Sequence, residues 1–538
     1  MKSTFRAPRP AALRASLLLA ASLAGASLAV HAQDSADTGP RFAINRFAVE
    51  GNTLLPASEV ERLLAPYTGP ARAFRDVRLA VDALQQAYRS AGIQVVVVQL
   101  PEQELTQGIV RVKVVEPRIG RVRVEGNRDF SIANIRSSLP GLREGATPNI
   151  RDISASLKVA NTNPAKQTTL SLQGTDQPEV IDALVRVAED KPWRIGLNAD
   201  NTGSPETGRS RLGVLYQHAN LWGLDHVASL QYTTSAEHPS KVSVFGAGYH
   251  VPLYHLGDSL DFFASHSNVN SGAVTAGVLD LQVSGKGSVY GARYNHTLAQ
   301  RGDYTSSLSF GVDLRAYKNN VDLQGFQLGS DVTVHPLSLA YSGQLTLPAG
   351  LLGVQLTGVQ NVSGGSRGRQ EDFDRQRIGA SANYRLLRYG AGYTQRFAQD
   401  WQMRLAFNGQ ATRDALVPGE QFGAGGAGSV RGFTEREVAG DQGQFASAEV
   451  QTPNWCANMT AFALQCRALA FIDAASVSRN KALPGEEQRT TIASAGVGLR
   501  FAVDRNASLQ LDYGRVIDGG GTRSAGDGRL HVALSLSY

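Results

Sequence analysis

From Trp193 to Tyr538 the apolar residues recur at every second position, and this period limits what the segment can become. Leu530, Val532, Leu534, Leu536 and Tyr538 alternate with Arg529, His531, Ala533, Ser535 and Ser537. Trp401, Met403, Leu405 and Phe407 alternate with Gln402, Arg404, Ala406 and Asn408, and 307–314 and 509–514 repeat the pattern. A period of two is the mark of β-strands with a different environment on each face. A soluble sandwich alternates as well, but three features favour a membrane. The strands run about ten to fourteen residues, as a tilted span requires. Tight turns such as 300–303 and 504–506 take turns with longer loops such as 363–374 and 519–528, as in outer-membrane barrels. The last apolar strand face ends on an aromatic residue. Residues 193–538 hold about sixteen such segments, an even number within the known range. The expected fold is a transmembrane β-barrel, closed because lipid offers a sheet edge no partner.

The N-terminus supports this. Residues 1–32 read as a secretory signal peptide, with Lys2, Arg6, Arg9 and Arg14 before a small-residue apolar stretch and Val30-His31-Ala32 as the cleavage pattern. The apolar stretch is shorter than the roughly twenty residues a helical span needs, and no run of that kind recurs after it. The formal charge of +6 is largely this segment, since its removal leaves 49 basic residues against 47 acidic. No arginine-rich run interleaved with aromatics occurs, so nucleic acid is excluded as a partner. Two cysteines are too few for a disulfide scaffold or a four-cysteine zinc module.

After a short linker at 33–42, residues 43–117 and 118–190 read as two small α/β units of about 75 residues, each in β-α-α-β-β order, an internal repeat. In the first, Ser58-Glu59-Val60-Glu61 has capping-box form. Val77, Val81, Leu84 and Tyr88 keep helical spacing, and Gly92 stands where a helix would end. Strands are expected at 46–51, 93–100 and 109–115, with Val95 to Val98 as a buried run. The second unit has strands expected at 119–125, 168–173 and 181–188, and helices at 131–139 and 149–160. A three-stranded sheet leaves an edge to which an extended peptide can add.

These residues together resemble the transporters of two-partner secretion, within the outer-membrane assembly-factor superfamily. In that family two POTRA domains precede a sixteen-strand barrel. Tyr88, Gly92, Leu100-Pro101, Gln103, Gly108 and Glu116 fall as in the family's first POTRA domain, and Asn161 and Asn163-Pro164 as in its second. Asp200-Asn201, Gly203, Thr207-Gly208, Asn220, Gly223 and Asp225 resemble its opening hairpin. The most specific match is Val430-Arg431-Gly432-Phe433, the signature at the tip of a long inward loop. Phe471-Ile472-Asp473 resembles the barrel-wall motif that faces it. That motif usually ends in glycine, and here Ala475 stands there, a departure that bears on how closely loop and wall pack. About ten residues follow Ala32 before the first repeat, too few for the plug helix some relatives carry.

The loop can also be read directly. Residues 412–442 form a polar, glycine-rich connection of about thirty residues, a length usually functional or disordered. Gly423, Gly425 and Gly428 match G-x-G-x-x-G but lack the strand-to-helix setting of a dinucleotide site, so they read as a flexible stem. Alternation places Phe471, Asp473 and Ala475 on one strand face, and a carboxylate facing lipid is costly, so Asp473 is expected in the lumen. If the loop folds inward, Arg431 is its natural partner. Cys456 and Cys466 flank a turn and could be joined by a disulfide. The histidines show no metal-binding spacing, and no cofactor or catalytic grouping is expected.

The resemblance implies an exporter, not an enzyme. Its POTRA domains would bind a large secreted partner, adhesin-like or haemolysin-like, that arrives extended in the periplasm. Outer-membrane lipid, periplasmic chaperones and the barrel-assembly machinery complete the expected partners. The alternatives are an insertase that assembles other barrels, or a passive porin.

Overall fold

The computed structural model describes residues 40–538 apart from 106, 206, 269–272, 277–278, 283–285, 319–321, 324–325, 328–330 and 458–462. The expected signal peptide at 1–32, and most of the linker on which a plug helix would depend, lie outside the described residues.

Residues 193–538 close into a barrel of sixteen antiparallel strands, each paired with its neighbours in sequence. Val332–Val334 and Pro336–Leu347 pair with the same strand, Tyr304–Lys318, and so count as one. The seam joins Trp193–Asp200 to Gly528–Ser537, from Gly196 opposite Ser537 to Asp200 opposite Ala533. Where this ladder ends, the Asn201 side chain imitates a peptide group. Its Nδ2 donates to Leu530 O at 2.7 Å and its Oδ1 accepts from Val532 N at 3.0 Å. Backbone groups that would lack a partner beside lipid are satisfied this way.

The period of two sets the orientation of each strand. On Leu464–Ser478, Ile472 is 55% exposed, whereas Phe471 and Asp473 on either side are 5% and 0% exposed. Leu339, Phe407, Val497 and Leu534 likewise face outward. Short turns at 222–225, 254–257, 348–349 and 504–506 mark the end nearer the N-terminal units, and long connections the other. At the far end Phe373, Tyr384, Leu416 and Val417 gather into a buried apolar cluster.

Both N-terminal units have the same sheet. In the first, Ile109–Val115 lies between Arg46–Glu50, parallel to it, and Val97–Gln99, antiparallel. In the second, Val180–Glu189 lies between Arg118–Glu125 and Lys166–Gly174 in the same senses. The repeat extends to single atoms. Glu50-Gly51-Asn52 and Glu125-Gly126-Asn127 end the two first strands, with φ of +81° and +84° at the glycines. A Cβ there would lie 2.2 Å from Val114 O and 2.4 Å from Val187 O. Only glycine combines that conformation with that approach. A carboxylate then caps each turn: Glu116 accepts from Thr53 N at 2.9 Å and Leu54 N at 3.1 Å, and Glu189 from Arg128 N at 2.9 Å and Asp129 N at 2.6 Å.

Two expectations need correction, and one element was missed. Ser58 caps no helix, because Ala57–Leu64 starts directly after Pro56, with no side-chain cap. The Pro56 carbonyl accepts from Glu59 N and Val60 N, a start that turns Val60 and Leu64 into the core. The valine run is only partly strand: Val96 and Val98 are buried, but Val97 is 46% exposed on the edge strand. A ribbon of Phe42–Ile44 with Gly69–Arg72 was not legible, because GPAR carries no β signal of its own.

The units are jointed tightly. A methyl on Gly92 would lie 2.4 Å from Asn149 Oδ1, and Gly92 O accepts from Ile150 N at 2.9 Å. The second unit then seats on the barrel's first turns. Asn163 Nδ2 donates to Ala219 O at 2.6 Å, Asn134 Nδ2 to Gly223 O at 2.6 Å and Ser156 Oγ to Tyr254 O at 3.0 Å, while within the barrel Tyr254 OH donates to Asp225 Oδ2 at 2.5 Å. Lys166 pairs with Asp225, and both side chains are wholly buried. Burial pulls the Lys166 amine below its ordinary range, while Asp225 works to hold the charge.

Removing one member of a buried pair strands the other charge, at a cost of about 3–5 kcal/mol. Lys166→Met should therefore expose the joint near 190 to limited proteolysis. Lys166→Met with Asp225→Asn, which leaves Tyr254 an acceptor, should restore most protection. Glu116 gives a pH test. Burial works to raise its pKa, but hydrogen bonds from Thr53, Tyr88 and Leu54 outweigh it and hold the group below the usual carboxylate range. A depressed carboxylate stabilises above its unfolded pKa of about 4.3, and the gain is lost as pH falls through the folded value. Hydrogen exchange across 42–117 in the full-length protein should rise over that window in wild type and respond less in Glu116→Gln.

Candidate functional site: the loop tip against the barrel wall

The connection between Gln402–Ala411 and Gln442–Gln451 turns into the lumen. Its stem is more ordered than its composition suggested. Phe422–Ala424 pairs antiparallel with Val438–Gly440, so the G-x-G-x-x-G glycines belong to a short ladder and the bend after it. Glycine hid this ladder, since it carries no strand periodicity. Val430 and Phe433 at the tip are fully buried. They join a cluster with Phe445, Ala475, Ile492 and Val516 on the wall. Ala475 is 4% exposed, so its methyl is part of the loop–wall packing.

Arg431 is the centre of the contact. Its Nε and Nη2 reach the two Asp473 oxygens at 2.8 and 3.0 Å, and its backbone N–H donates to Asp473 Oδ2 at 3.1 Å. Nη1 donates to Glu449 Oε2 at 2.7 Å and lies 3.7 Å from Asp512 Oδ1. Ser447 Oγ donates to Asp473 Oδ1 at 2.6 Å, and the guanidinium sits 3.4 Å from the centre of the Phe471 ring. A planar fork meeting a carboxylate on two atoms fixes orientation as well as attraction, and stacking on the ring fixes the plane. Next to it, Gly432 N donates to His531 Nε2 at 2.9 Å. The loop backbone here almost touches the wall: a methyl on Gly514 would lie 2.6 Å from Gly432 N.

Two further carboxylates hold the base of the loop. Asp441, wholly buried, accepts from Leu416 N at 2.9 Å, Asn480 N at 2.7 Å and Arg377 Nη2 at 3.0 Å. Glu420 accepts from Arg315 Nη1 at 2.9 Å and Tyr317 OH at 2.7 Å. Cys456 and Cys466 are joined in a disulfide on the turn leading into the Asp473 strand.

Val430, Arg431, Gly432, Phe433, Phe471 and Asp473 thus lie together, with the disulfide apart from them. The sequence reading missed Glu449, Asp512, His531, Glu420 and Asp441. The first three were accessible to the argument that placed Asp473, because each falls on the lumen-facing phase of an alternating strand. Glu420 and Asp441 carried no such signal, since a loop has no period.

Residues 181–501 match the haemolysin secretion/activation protein family, ShlB/FhaC/HecB, and residues 42–117 match the ShlB-type POTRA domain. The chain belongs to that haemolysin secretion family. It is a two-partner secretion transporter of the outer membrane, with its POTRA region in the periplasm. It is 26% identical to the outer membrane transporter CdiB of Escherichia coli over 81% of this chain and 72% of that one. To the hemolysin transporter protein ShlB of Serratia marcescens it is 25% identical, over 67% and 62%. The solved structure of CdiB from Escherichia coli superposes with a TM-score of 0.74 at 20% identity, covering 95% and 94% of the chains, a likeness of fold.

Arg431→Lys keeps the charge but cannot span Asp473 and Glu449 with one fixed plane, so the tip should loosen. The check is labelling of a cysteine at Thr434, expected to be faster in Arg431→Lys than in wild type. His531→Gln, whose Oε1 can accept the Gly432 N–H, should label more slowly than His531→Ala. Equal rates in all four proteins would remove the fork and the imidazole as anchors.

Proposed function

We propose that the transporter carries a large exoprotein in extended form, received by the POTRA domains, and that the inward loop is the movable obstruction in its path. The observation carrying this is the Arg431 contact. It ties the tip of a loop lying within the lumen to carboxylate side chains on two wall strands. Such a contact can be broken and remade without disturbing the barrel's own ladders. In this reading an extended segment adds as a further strand to a POTRA sheet edge. No step calls for a bond to be made or broken in the cargo, so the work is positioning and conduction.

Residues 1–32 would direct export to the periplasm. Chaperones there and the barrel-assembly machinery are the further partners of this reading, and lipid surrounds the apolar girdle. Val430, Arg431, Gly432 and Phe433, with Phe471 and Asp473, form the lock. The disulfide staples the turn beneath it. The cargo's class, adhesin-like or haemolysin-like, follows from the family's cargoes.

The test compares secreted proteins with and without the gene. Loss of one large exoprotein, restored by wild type but not by a chain lacking 43–190, is the expected result. Broad loss of outer-membrane barrels would point instead to assembly. Arg431→Ala and Asp473→Ala should each reduce export of that exoprotein at unchanged protein level, and unchanged export in both would remove the lock.

A further inference from the structure

The outer face of the barrel carries a depression that strand register explains. Across the strands His226–Ser235, Val244–Leu253, Asp258–Ser267 and Lys286–Thr297, the lipid-facing residues fall into lateral rows. One row runs Leu230, Ala247, Ala264, Tyr290, each directly opposite the next. The next row outward runs Tyr232, Phe245, His266, Ser288 in the same way. Large side chains thus stand on both sides of two adjacent methyl groups. The result is a groove of about 450 Å³ with Ala247 and Ala264 on its floor.

These strands end at Ser235, Val244, Ser267 and Lys286 on the side away from the N-terminal units, so the second row lies toward the cell surface. At that level the lipid-facing phase turns polar: His266 Nδ1 and Ser288 Oγ share a hydrogen bond at 2.9 Å. Two residues further out, about 7 Å along the strand, Lys286 stands directly opposite Lys318 of Tyr304–Lys318. Both lysines are exposed and in the same lipid-facing phase as Tyr290 and Leu314. Residues so paired have Cβ atoms about 4.5–5.5 Å apart, and like charges placed there repel. Among the described residues neither lysine meets a carboxylate. An anion shared between them would relieve the repulsion.

We propose that this face binds one phosphorylated, multi-acyl lipid of the outer leaflet, with a phosphate held between Lys286 and Lys318 and an acyl chain lying over Ala247 and Ala264. Charge complementarity selects this occupant. A zwitterionic lipid brings no net charge to neutralise the lysines, and free phosphate brings nothing for the groove to bury. Tyr232 and Phe245, with ring centroids 4.9 Å apart, form one side of the groove and Tyr290 the other. His266 and Ser288 lie between phosphate and chain, where they offer hydrogen bonds to headgroup oxygens. The site depends on the outer-membrane location of the barrel and not on which protein is exported.

The test uses the full-length transporter in detergent micelles, titrated with bis-phosphorylated lipid A and read by native mass spectrometry. One lipid per barrel is expected at concentrations where phosphatidylethanolamine leaves none. A lysine beside an anionic lipid is worth about fivefold in affinity, so Lys286→Gln with Lys318→Gln should weaken binding by about thirtyfold. Lys113→Gln, on the first periplasmic unit, should bind as wild type. Because a substitution could disturb the barrel, wild type is also given lipid A with a photoreactive group on an acyl chain. Adducts confined to 226–267 and 286–318 support the groove. Three results each overturn the proposal: equal binding by wild type and the double glutamine variant, adducts as strong on 350–361 and 402–411, or displacement of the lipid by an equal concentration of inorganic phosphate. All three would leave the exporter reading intact.

Discussion

A bilayer cannot hydrogen-bond to a peptide group, and most of this structure answers that fact. Every barrel strand must find two neighbours, so the first must meet the last. The meeting is short in backbone terms, from Gly196 to Asp200, and the Asn201 side chain extends it by standing in for a peptide. Closure leaves the interior as the only place within the membrane where charge is inexpensive. Arginines and carboxylates accordingly collect there, among them those that receive the loop.

The loop contact shows how polar groups gain a fixed geometry once water is partly excluded. Arg431 is 6% exposed and meets Asp473, Glu449 and the Phe471 ring at once, so its plane is determined from three sides. Val430 and Phe433 bury apolar surface beside it, and Gly432 lets the backbone reach the wall. At the other end of the molecule the buried Lys166–Asp225 pair plays a comparable part. There the second unit is oriented on the first barrel turns by Asn134 and Asn163 as well. In both places a charge pair specifies one arrangement where apolar packing alone would allow sliding.

Much of this was legible beforehand, for reasons that can be named. The period of two survives in sequence because each barrel strand has lipid on one face, so Ile472 and Asp473 declare their sides by position alone. The helix of Val77, Leu84 and Tyr88 declared itself by spacing. The capping box at Ser58 misled because Pro56 offers an equally good start two residues earlier. The stem at Phe422–Ala424 was hidden because its glycines carry no period. The family's scattered marks, Asn163, Asn220, Gly223 and Asp225, gave no reason for themselves until the joint between second unit and barrel brought them into one place.

The sequence by itself determined the barrel, the repeat and the side on which each strand residue lies, because those follow from local periodicity and the solvents available. Only the tertiary structure decided which charges meet. Arg431 is 18 residues from Glu449 and 42 from Asp473, while Lys166 is 59 from Asp225. His531 comes to Gly432 from 99 residues away. Pairings over such distances depend on barrel closure and on how far the loop descends, and no local pattern encodes either.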